Sequence, residues 1–595
     1  MTEIDSESYG KTGADLIAEF IARHCHRHVS LVTGGACAFI IDAIAHNKTV
    51  DYVCFQHEQS AAMAADSIWR VSGEVGVAVA TSGPGATNLI TGIASSWFDS
   101  IPTLHITGQV NDSESIAFLG VDVRQGGFQE TDIVAMVSPI TKLAVQVHSV
   151  EELGQTLRNG LQLAISGRMG PVLVDVPINV QKELVPKNVW SDTLKAFEPD
   201  PDGEDVDWSL VDSFLLDAKR PLVVIGAGAA LAGVARDVQV WCEDSGIPHV
   251  ASWGAMPHLD RSSHLYQGTQ GVYGSRVANW VVQASDRILV LGSRLDNRQR
   301  TGNPNAYAPF AKVLVVDIDP EELGKYKRQS NFQVLQADLK RWGNGPESQS
   351  QRQTTWLTWL NLLALRKQTT DPGTSAAVVT GELNPYDAIV ALQARFPKET
   401  IVASDTGANL CWTYQAYRPD DSFIFTSYGN SPMGYSLPAA IGAQIALPDR
   451  PVWCFIGDGG LQMNIQELQT LVHHNLPIVI VVMNNSGYGI IKQFQDSYMD
   501  SRYEATGRGY SQPDFEKIST AYGIDYVRVK ELSDIEEIDL STLPLMVEVI
   551  ISQGAMITPK TEMDRFLHDQ FPYNQEMSDS GMPYQYPTRP SELPN

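Results

Sequence analysis

Short apolar runs recur along the whole chain, with amphipathic stretches long enough for helices between them. "HVSLVT", "VGVAVAT", "PTLHIT" and "PVLVDVP" predict strands in the first third. "RPLVVIGAGAA", "RILVLGSRLD" and "AKVLVVDIDP" predict a second set, and "TIVASDTG", "PVWCFIGDGG" and "LPIVIVVMNN" a third. Runs this uniformly apolar suit parallel strands covered on both faces, so the pattern predicts an α/β chain of three doubly wound parallel-sheet domains. Polar breaks set the boundaries. "VPKNVWSDTLKAFEPDPDGEDVD" reads as an acidic linker, and "NGPESQSQRQTT" as a second separator. The expected domains are residues 1–186, 207–343 and 376–556, followed by a tail, 557–595, rich in Pro and Tyr. No short-period repeat is visible.

A chain of 595 residues is too long for one core. Its 43 basic and 69 acidic residues give a net charge of −26, which argues against a nucleic-acid surface. An anionic substrate would need a local basic group. Cys25, Cys37, Cys54, Cys242, Cys411 and Cys454 are scattered without metal-like spacing and read as reduced core residues. "MTEIDSESYG" carries no signal segment, and no apolar run reaches the ~18–20 residues of a membrane span, so a cytoplasmic protein is expected.

The candidate chemistry begins at "GDGGLQMN", residues 457–464, where an acid stands between glycines just past an apolar run. Asn485 follows 27 residues beyond Asp458. In a strand–helix–strand unit that spacing brings both strand ends to one edge of a parallel sheet. A carboxylate, an amide oxygen and a nearby backbone carbonyl form a hard-oxygen set suited to Mg²⁺, which is usually completed by phosphate and water. Gly457, Gly459 and Gly460 would let a diphosphate approach backbone N–H groups at the helix start. A plain helix cap at Asp458, with a turn at Asn484–Asn485, is the alternative.

This constellation resembles the signature of thiamine diphosphate (ThDP) enzymes. Glu58 in "YVCFQHEQSAAMAA" and the stretch "TSGPGATN" (81–88) match its second motif. "DTGANLCW", "MGYSLPAAIGA" and "GFQETDIV" extend the likeness to the acetolactate-synthase-like branch over nearly the whole length. Within it the chain looks closest to pyruvate-dependent flavoenzymes of branched-sugar and polysaccharide pathways, whose longer loop "VRQGGFQETDIVAMVSPITK" matches. The resemblance implies pyrimidine-binding, central FAD-type and diphosphate-binding domains in that order. It assigns Asp458, Asn485 and the Gly487 carbonyl to Mg²⁺. Pro84, Asn88, Thr406, Gly407, Asn409, Ser431, Met433, Gly457, Gly459, Gly460, Tyr488 and Gly489 would surround ThDP. Glu58 would hydrogen-bond the aminopyrimidine, Met433 would wedge the cofactor into its bent form, and the Ser431 carbonyl would accept from the amino group. Gln129 would lie near the reacting carbon, and His57 would reach substrate. Phe494 takes the place of a tryptophan that lines the acceptor pocket in acetolactate synthases, a change that favours a different acceptor.

"GAGAAL" alone is a weak dinucleotide signal. With "GTQGVYGSR", "GSRLDNR", "VVDIDPEELGK" and "QADLK", the middle domain resembles the flavin-binding domain of the same group. That likeness places Gln270, Arg294, Asp296 and Arg298 beside the flavin or its phosphates, and Asp317 and Asp338 near the adenosine end. The implied activity is a carboligase containing ThDP, Mg²⁺ and FAD. It would decarboxylate pyruvate and pass the two-carbon unit to a ketone or 2-oxo acid, such as a keto-sugar nucleotide or a second pyruvate. A 2-oxo acid decarboxylase or flavin-linked oxidase is the alternative. A non-catalytic relative fits poorly, because Glu58, Asp458 and Asn485 are all present. A homodimer or homotetramer with sites at the subunit interface is expected, with the aromatic tail covering or bordering the entrance.

Overall fold

The computed structural model describes residues 10–197, 206–349, 353–369, 383–573 and 581–593. Three six-stranded sheets are present, every neighbouring pair parallel. The first contains β1 (His28–Leu31), β2 (Asp51–Cys54), β3 (Gly76–Ala80), β4 (Thr103–Gln109), β5 (Leu143–Gln146) and β6 (Val172–Pro177), in the order β2-β1-β3-β4-β6-β5. The central sheet contains β7 (Pro221–Ile225), β8 (His249–Ala251), β9 (Tyr266–Thr269), β10 (Arg287–Leu291), β11 (Lys312–Asp317) and β12 (Phe332–Gln336), ordered β12-β11-β10-β7-β8-β9. The third contains β13 (Ile401–Ser404), β14 (Phe423–Phe425), β15 (Val452–Gly457), β16 (Ile478–Asn484), β17 (Asp525–Val529) and β18 (Leu545–Ile550), ordered β14-β13-β15-β16-β18-β17.

All ten apolar runs named above are strands. β3, β4, β6 and β16 are buried along their full length, as parallel strands covered by helices on both faces must be. The runs the pattern missed are mostly short or lie at edges. β2 and β12, for example, expose several of their residues, polar ones among them, and carry little apolar signal.

The first and third units pack through two helices made largely of small residues, Glu58–Ser72 and Ser436–Ala446. A Cβ added at Gly442 would lie 2.3 Å from Ser67 Oγ and 2.5 Å from the Ala64 carbonyl oxygen. Only glycine permits that approach.

The structure corrects two expectations. Part of the expected linker is a helix, Lys187–Thr193, whose Trp190, together with Phe197 just beyond, packs on the first core; residues 198–205 lie outside the described residues. Apolar residues spaced through a polar-looking stretch were enough to dock it. Cys54 is exposed rather than core, because it ends the edge strand β2; all six cysteines are free. The helix Gln353–Thr369 begins within the last residues of the second separator and joins the central unit: Trp356 and Trp359 are buried and donate to the carbonyls of Ala218 and Pro221 at 2.9 and 3.2 Å.

The described part of the tail lies mainly on the central unit. Lys560–Thr561 and Gln570–Phe571 form a small antiparallel ribbon, and the Arg276 guanidinium donates to the carbonyls of Gln570 (3.0 Å) and Pro572 (2.8 Å). Tyr586 donates to the Gln283 carbonyl at 2.7 Å, and Tyr584 stacks on Phe310 with ring centroids 4.9 Å apart. Partial burial of the two tyrosine rings, with their hydrogen bonds, holds a stretch that has little regular structure. Among the described residues, no helix is long and apolar enough to cross a membrane.

Candidate active site

β15 and β16 pair with Gly457 opposite Met483, so Asp458 and the Asn484–Asn485 pair leave the sheet side by side. Asp458 is buried and accepts from the Gly487 N–H at 3.0 Å and from the Tyr510 hydroxyl at 2.7 Å. Burial nevertheless pushes its carboxyl up to about 6, against an ordinary 3.8, so the site favours a compensating positive charge. The two asparagines divide their work. Asn484 donates to Glu548 at 2.6 Å and accepts from the Ser486 N–H at 3.0 Å, while the buried side-chain nitrogen of Asn485 has no partner. Asn485 thus keeps a free N–H donor, suited to a phosphate oxygen, next to the amide oxygen expected to face a cation. Among the described residues no group of three or more His, Cys, Asp or Glu could cage a metal, so a cation here relies on the mixed set of Asp458, the Asn485 amide and the Gly487 carbonyl.

Around this edge the loops are tied by Asp405, a residue the sequence reading passed over. Its carboxylate accepts from the Gly434 N–H at 3.1 and 2.9 Å and from the Thr406 N–H at 2.9 Å. A Cβ on Gly460 would fall 2.1 Å from its Oδ2. Full burial pushes Asp405 up to about 7. Thr406 and Ser431 join through their hydroxyls at 2.6 Å, and Ser431 takes a positive φ of 51°. Met433, half-buried, follows on the same loop. The Asn409 amide donates to the carbonyls of Asp405 and Phe455, both at 3.1 Å, and its buried oxygen has no partner. Gly407 and Gly457 face open space, whereas Gly459 lies against the Tyr488 ring and Gly489 against the Asn485 amide. Open glycines and unpartnered buried amides together form a cradle that fits a diphosphate and its cation.

In the first unit Glu58 opens the helix Glu58–Ser72, and His57 is its N-cap, accepting from the Gln59 N–H at 3.0 Å. Glu58 is buried, and Asn88 donates to its Oε2 at 2.9 Å. A Cβ at Gly85, next to Pro84, would lie 3.2 Å from Oε1. Asn88 therefore orients the carboxylate and leaves one oxygen facing the glycine turn. Gln129 has φ 63° and lies against Gly83. Glu467 from the third unit braces the approach to Glu58: both its oxygens are 3.3 Å from the Gln56 N–H. Phe494 lies half-buried on the helix Gly489–Tyr498, its ring 4.8 Å from that of Tyr498. The tail starts there, with Ile557 bonded twice to Gln493 and the Met563 N–H donating to the Tyr498 hydroxyl at 2.8 Å.

In the central sheet, β7 and β10 are neighbours from which the chain departs in opposite directions, the arrangement at which doubly wound sheets bind nucleotides. Gly226 and Gly228 there meet the Gly292 backbone so closely that a Cβ on Gly226 would lie 2.1 Å from its carbonyl oxygen. A cavity of about 420 Å³ opens at this point, and Gln270, Arg294, Asp296, Arg298, Asp317 and Asp338 all line it. Asp296 and Asp338 also cap short helices, and burial raises the Asp317 carboxyl above its ordinary value. Gln270 Nε2 and Ser252 Oγ are buried on its wall without partners. A second cavity of about 390 Å³ shares Arg294, Asp296 and Arg298 and reaches Ser431.

Sequence reasoning missed Tyr510, Asp405 and Glu467. Tyr510 and Glu467 gave no local signal, since loop tyrosines and helix glutamates are ordinary. Asp405 stood inside the quoted "DTG" and ended an apolar run just as Asp458 does.

Comparison with known proteins agrees with this geometry. Family models match residues 11–136 as thiamine pyrophosphate enzyme, N-terminal TPP binding domain, residues 211–340 as its central domain, and residues 405–540 as its C-terminal TPP binding domain. The acetolactate synthase large subunit of Parasynechococcus marenigrum is 33% identical over 569 residues, covering 92% of this chain and 89% of that protein. The isozyme 2 large subunit of Escherichia coli is 34% identical, covering 84% and 88%. The Lactococcus lactis large subunit is 32% identical, covering 88% and 90%. With its two glycine-lined sheet edges and all three family domains in order, the chain belongs to the thiamine pyrophosphate enzymes, in their acetolactate-synthase-like branch, and is a ThDP-dependent enzyme that forms carbon–carbon bonds.

Proposed function

We propose that the protein decarboxylates pyruvate or a similar 2-oxo acid and transfers the two-carbon unit to a ketone or 2-oxo acid, with a keto-sugar nucleotide or a second pyruvate as the leading acceptors. The carrying observation is the pairing of a buried, Asn88-oriented Glu58 with a separate edge where a buried Asp458 carboxylate stands beside the Asn485 amide, whose nitrogen has no partner. ThDP, when bound, supplies the nucleophilic carbon and the electron sink for decarboxylation. The chain's own residues then have distinct tasks. Asp458, Asn485 and the Gly487 carbonyl would hold Mg²⁺ beside the diphosphate. Glu58 holds or gives up a proton at the aminopyrimidine. Met433 and the Ser431 carbonyl would orient the cofactor, and Gln129 would offer an amide to a substrate oxygen.

The central cavity suits FAD. Arg294 and Arg298 offer planar donors for a pyrophosphate, Asp317 and Asp338 offer acceptors for ribose hydroxyls, and Gln270 carries an unpartnered donor. Its role is structural, since adding the two-carbon unit to a carbonyl involves no net redox change. A homodimer or homotetramer, with Glu58 and Asp458 contributed to one site by different subunits, follows from the family resemblance. Free cysteines suit a reducing cytoplasm. The tail, anchored beside Phe494 through Tyr498, borders the acceptor side of the site. Incubation of the holoenzyme with pyruvate and a panel of carbonyl acceptors, read by mass spectrometry, should show a ketol product and little oxygen uptake. Oxygen consumption matching decarboxylation, without ketol, would sink this reading.

A further inference from the structure

Asp99 is the last residue of the helix Ile90–Asp99, where the helix dipole is negative and a carboxylate is disfavoured. It is nearly buried there all the same, its side chain 5% exposed. Three bonds compensate it. Arg70 donates at 2.8 Å, and the consecutive N–H groups of Tyr428 and Gly429 donate at 2.7 Å each. Arg70 in turn grips Asp66 at 2.6 Å, and Asp66 accepts from Ser96 (2.9 Å) and Tyr435 (2.5 Å). The network thus starts on the helix that Glu58 opens and ends on both sides of Ser431 and Met433. Gly429 is also pinched: a Cβ there would lie 2.9 Å from Asp99 Oδ1 and 3.1 Å from the Arg294 guanidinium. Arg70, Asp99 and Tyr428 line the central cavity together with Arg294. One turn therefore touches the first unit, the central cavity and the ThDP loop.

Resting on the functional reading above, we propose that Asp99 is a positioning residue for the thiamine site: it clamps the Tyr428–Gly429 turn and so sets the Ser431–Met433 segment against the wall of the central cavity. Two bonds from adjacent N–H groups fix the direction of the turn as well as its distance, which a single contact does not do. Losing one charge-assisted hydrogen bond corresponds to about tenfold in an equilibrium constant.

The test compares wild-type holoenzyme with Asp99→Asn, which keeps the side-chain volume but turns an amide N–H toward a backbone donor. Gly429→Ala serves as a second variant; it keeps every charged side chain of the network but presses a methyl against Asp99 and so displaces the turn. Magnesium–ThDP affinity is measured by calorimetry, flavin content by absorbance and folding by thermal melting. About tenfold weaker ThDP binding in a cooperatively folded variant, with flavin affinity falling in parallel, supports the clamp. A lowered melting temperature with ThDP affinity within about twofold of wild type overturns it, since that is the mark of a merely structural acid. Should Asp99→Asn fail to fold, Gly429→Ala alone decides between these outcomes by the same criterion. Wild-type protein that binds no ThDP overturns the functional reading and the clamp together, whereas wild-type binding with unmoved variants overturns only the clamp.

Discussion

The first and third sheets have the same architecture with different chemistry at their edges. Strand for strand, β2-β1-β3-β4-β6-β5 is matched by β14-β13-β15-β16-β18-β17. The helices that pack the two units together, Glu58–Ser72 and Ser436–Ala446, follow equivalent strands, β2 and β14. Even a buried pair repeats. Gln109, which ends β4, donates to Asp175 on β6 at 3.0 Å, and Asn484, which ends β16, donates to Glu548 on β18 at 2.6 Å. The registers match as well: Thr107 and Val482, each the fifth residue of its strand, stand opposite Asp175 and Glu548, each the fourth. What differs is the turn after the third strand of each set. β3 leads into the neutral "TSGPG", which leaves room beside the Glu58 carboxylate, while β15 leads into "GDGG", which carries the charge itself. On the proposed function, equal scaffolds thus offer one edge to handle a proton and another to hold a cation. Edges of this kind, built from loops beyond the strand ends, are free to diverge because the sheet's packing does not depend on them.

Breaking the proton-handling edge should have the largest effect. Glu58→Gln keeps the shape and the Asn88 contact, so ThDP binding should survive while carboligation falls by about 10²–10⁴-fold, the usual range for general acid–base groups. Near-normal turnover in this variant would erase the distinction between the two edges. Asp458→Asn is the mirror experiment. Magnesium-dependent ThDP affinity should fall by about 10-fold or more, since even residues one step from a metal commonly matter that much. Unchanged affinity by calorimetry would reduce Asp458 to a helix cap. Tyr510→Phe sharpens the same edge with a smaller change. It removes one hydrogen bond to the Asp458 carboxylate, so cofactor affinity should shift by no more than about tenfold, with turnover at saturation unchanged. A loss as large as that of Asp458→Asn would make the hydroxyl, not the carboxylate, the main determinant.

The smallest effect on catalysis is expected from the repeated buried pair. Burial raises the Asp175 carboxyl from 3.8 to about 7, against the lowering effect of its bonds from Thr107 and Gln109. The folded state therefore holds this proton more tightly than the unfolded chain. Its contribution to stability is full below about pH 4 and is lost as pH rises to about 7, by up to ~1.4 kcal/mol per pH unit. Asp175→Asn cannot titrate, so urea unfolding between pH 4.5 and 7 should show a flatter pH dependence than wild type. Equal slopes would mean that Asp175 is already ionised in the folded protein.

Much of this was readable in advance for local reasons. Uniformly apolar runs announced the inner strands because both faces of a parallel sheet are buried. Asp458 and Asn485 could be picked out because each ends or follows such a run, at a spacing set by one strand–helix–strand unit, whereas Glu58 follows the weakly apolar β2 and was pointed to by the family resemblance alone. Edge strands such as β12 gave no such signal, since their exposed positions accept polar residues. The helix Lys187–Thr193 was lost in a stretch whose acidic, proline-bearing composition looked like a linker.

The sequence by itself determined the α/β class, the main strands and the two edges that carry charge, because periodicity and short-range spacing are properties of the chain alone. Tertiary structure decided which neighbours those edges have. That the first and third sheets share one strand order is invisible in the sequence, because strand order is set by which strands pair and not by local pattern. That Asn485 and not Asn484 stays free depends on Glu548, 63 residues later in the chain than Asn485. Asp405, Tyr510, Glu467 and Asp99 acquire their meaning only when loops distant in sequence are brought within hydrogen-bonding reach. No local pattern encodes such contacts, because a buried polar group takes its role from whichever partner the fold places beside it.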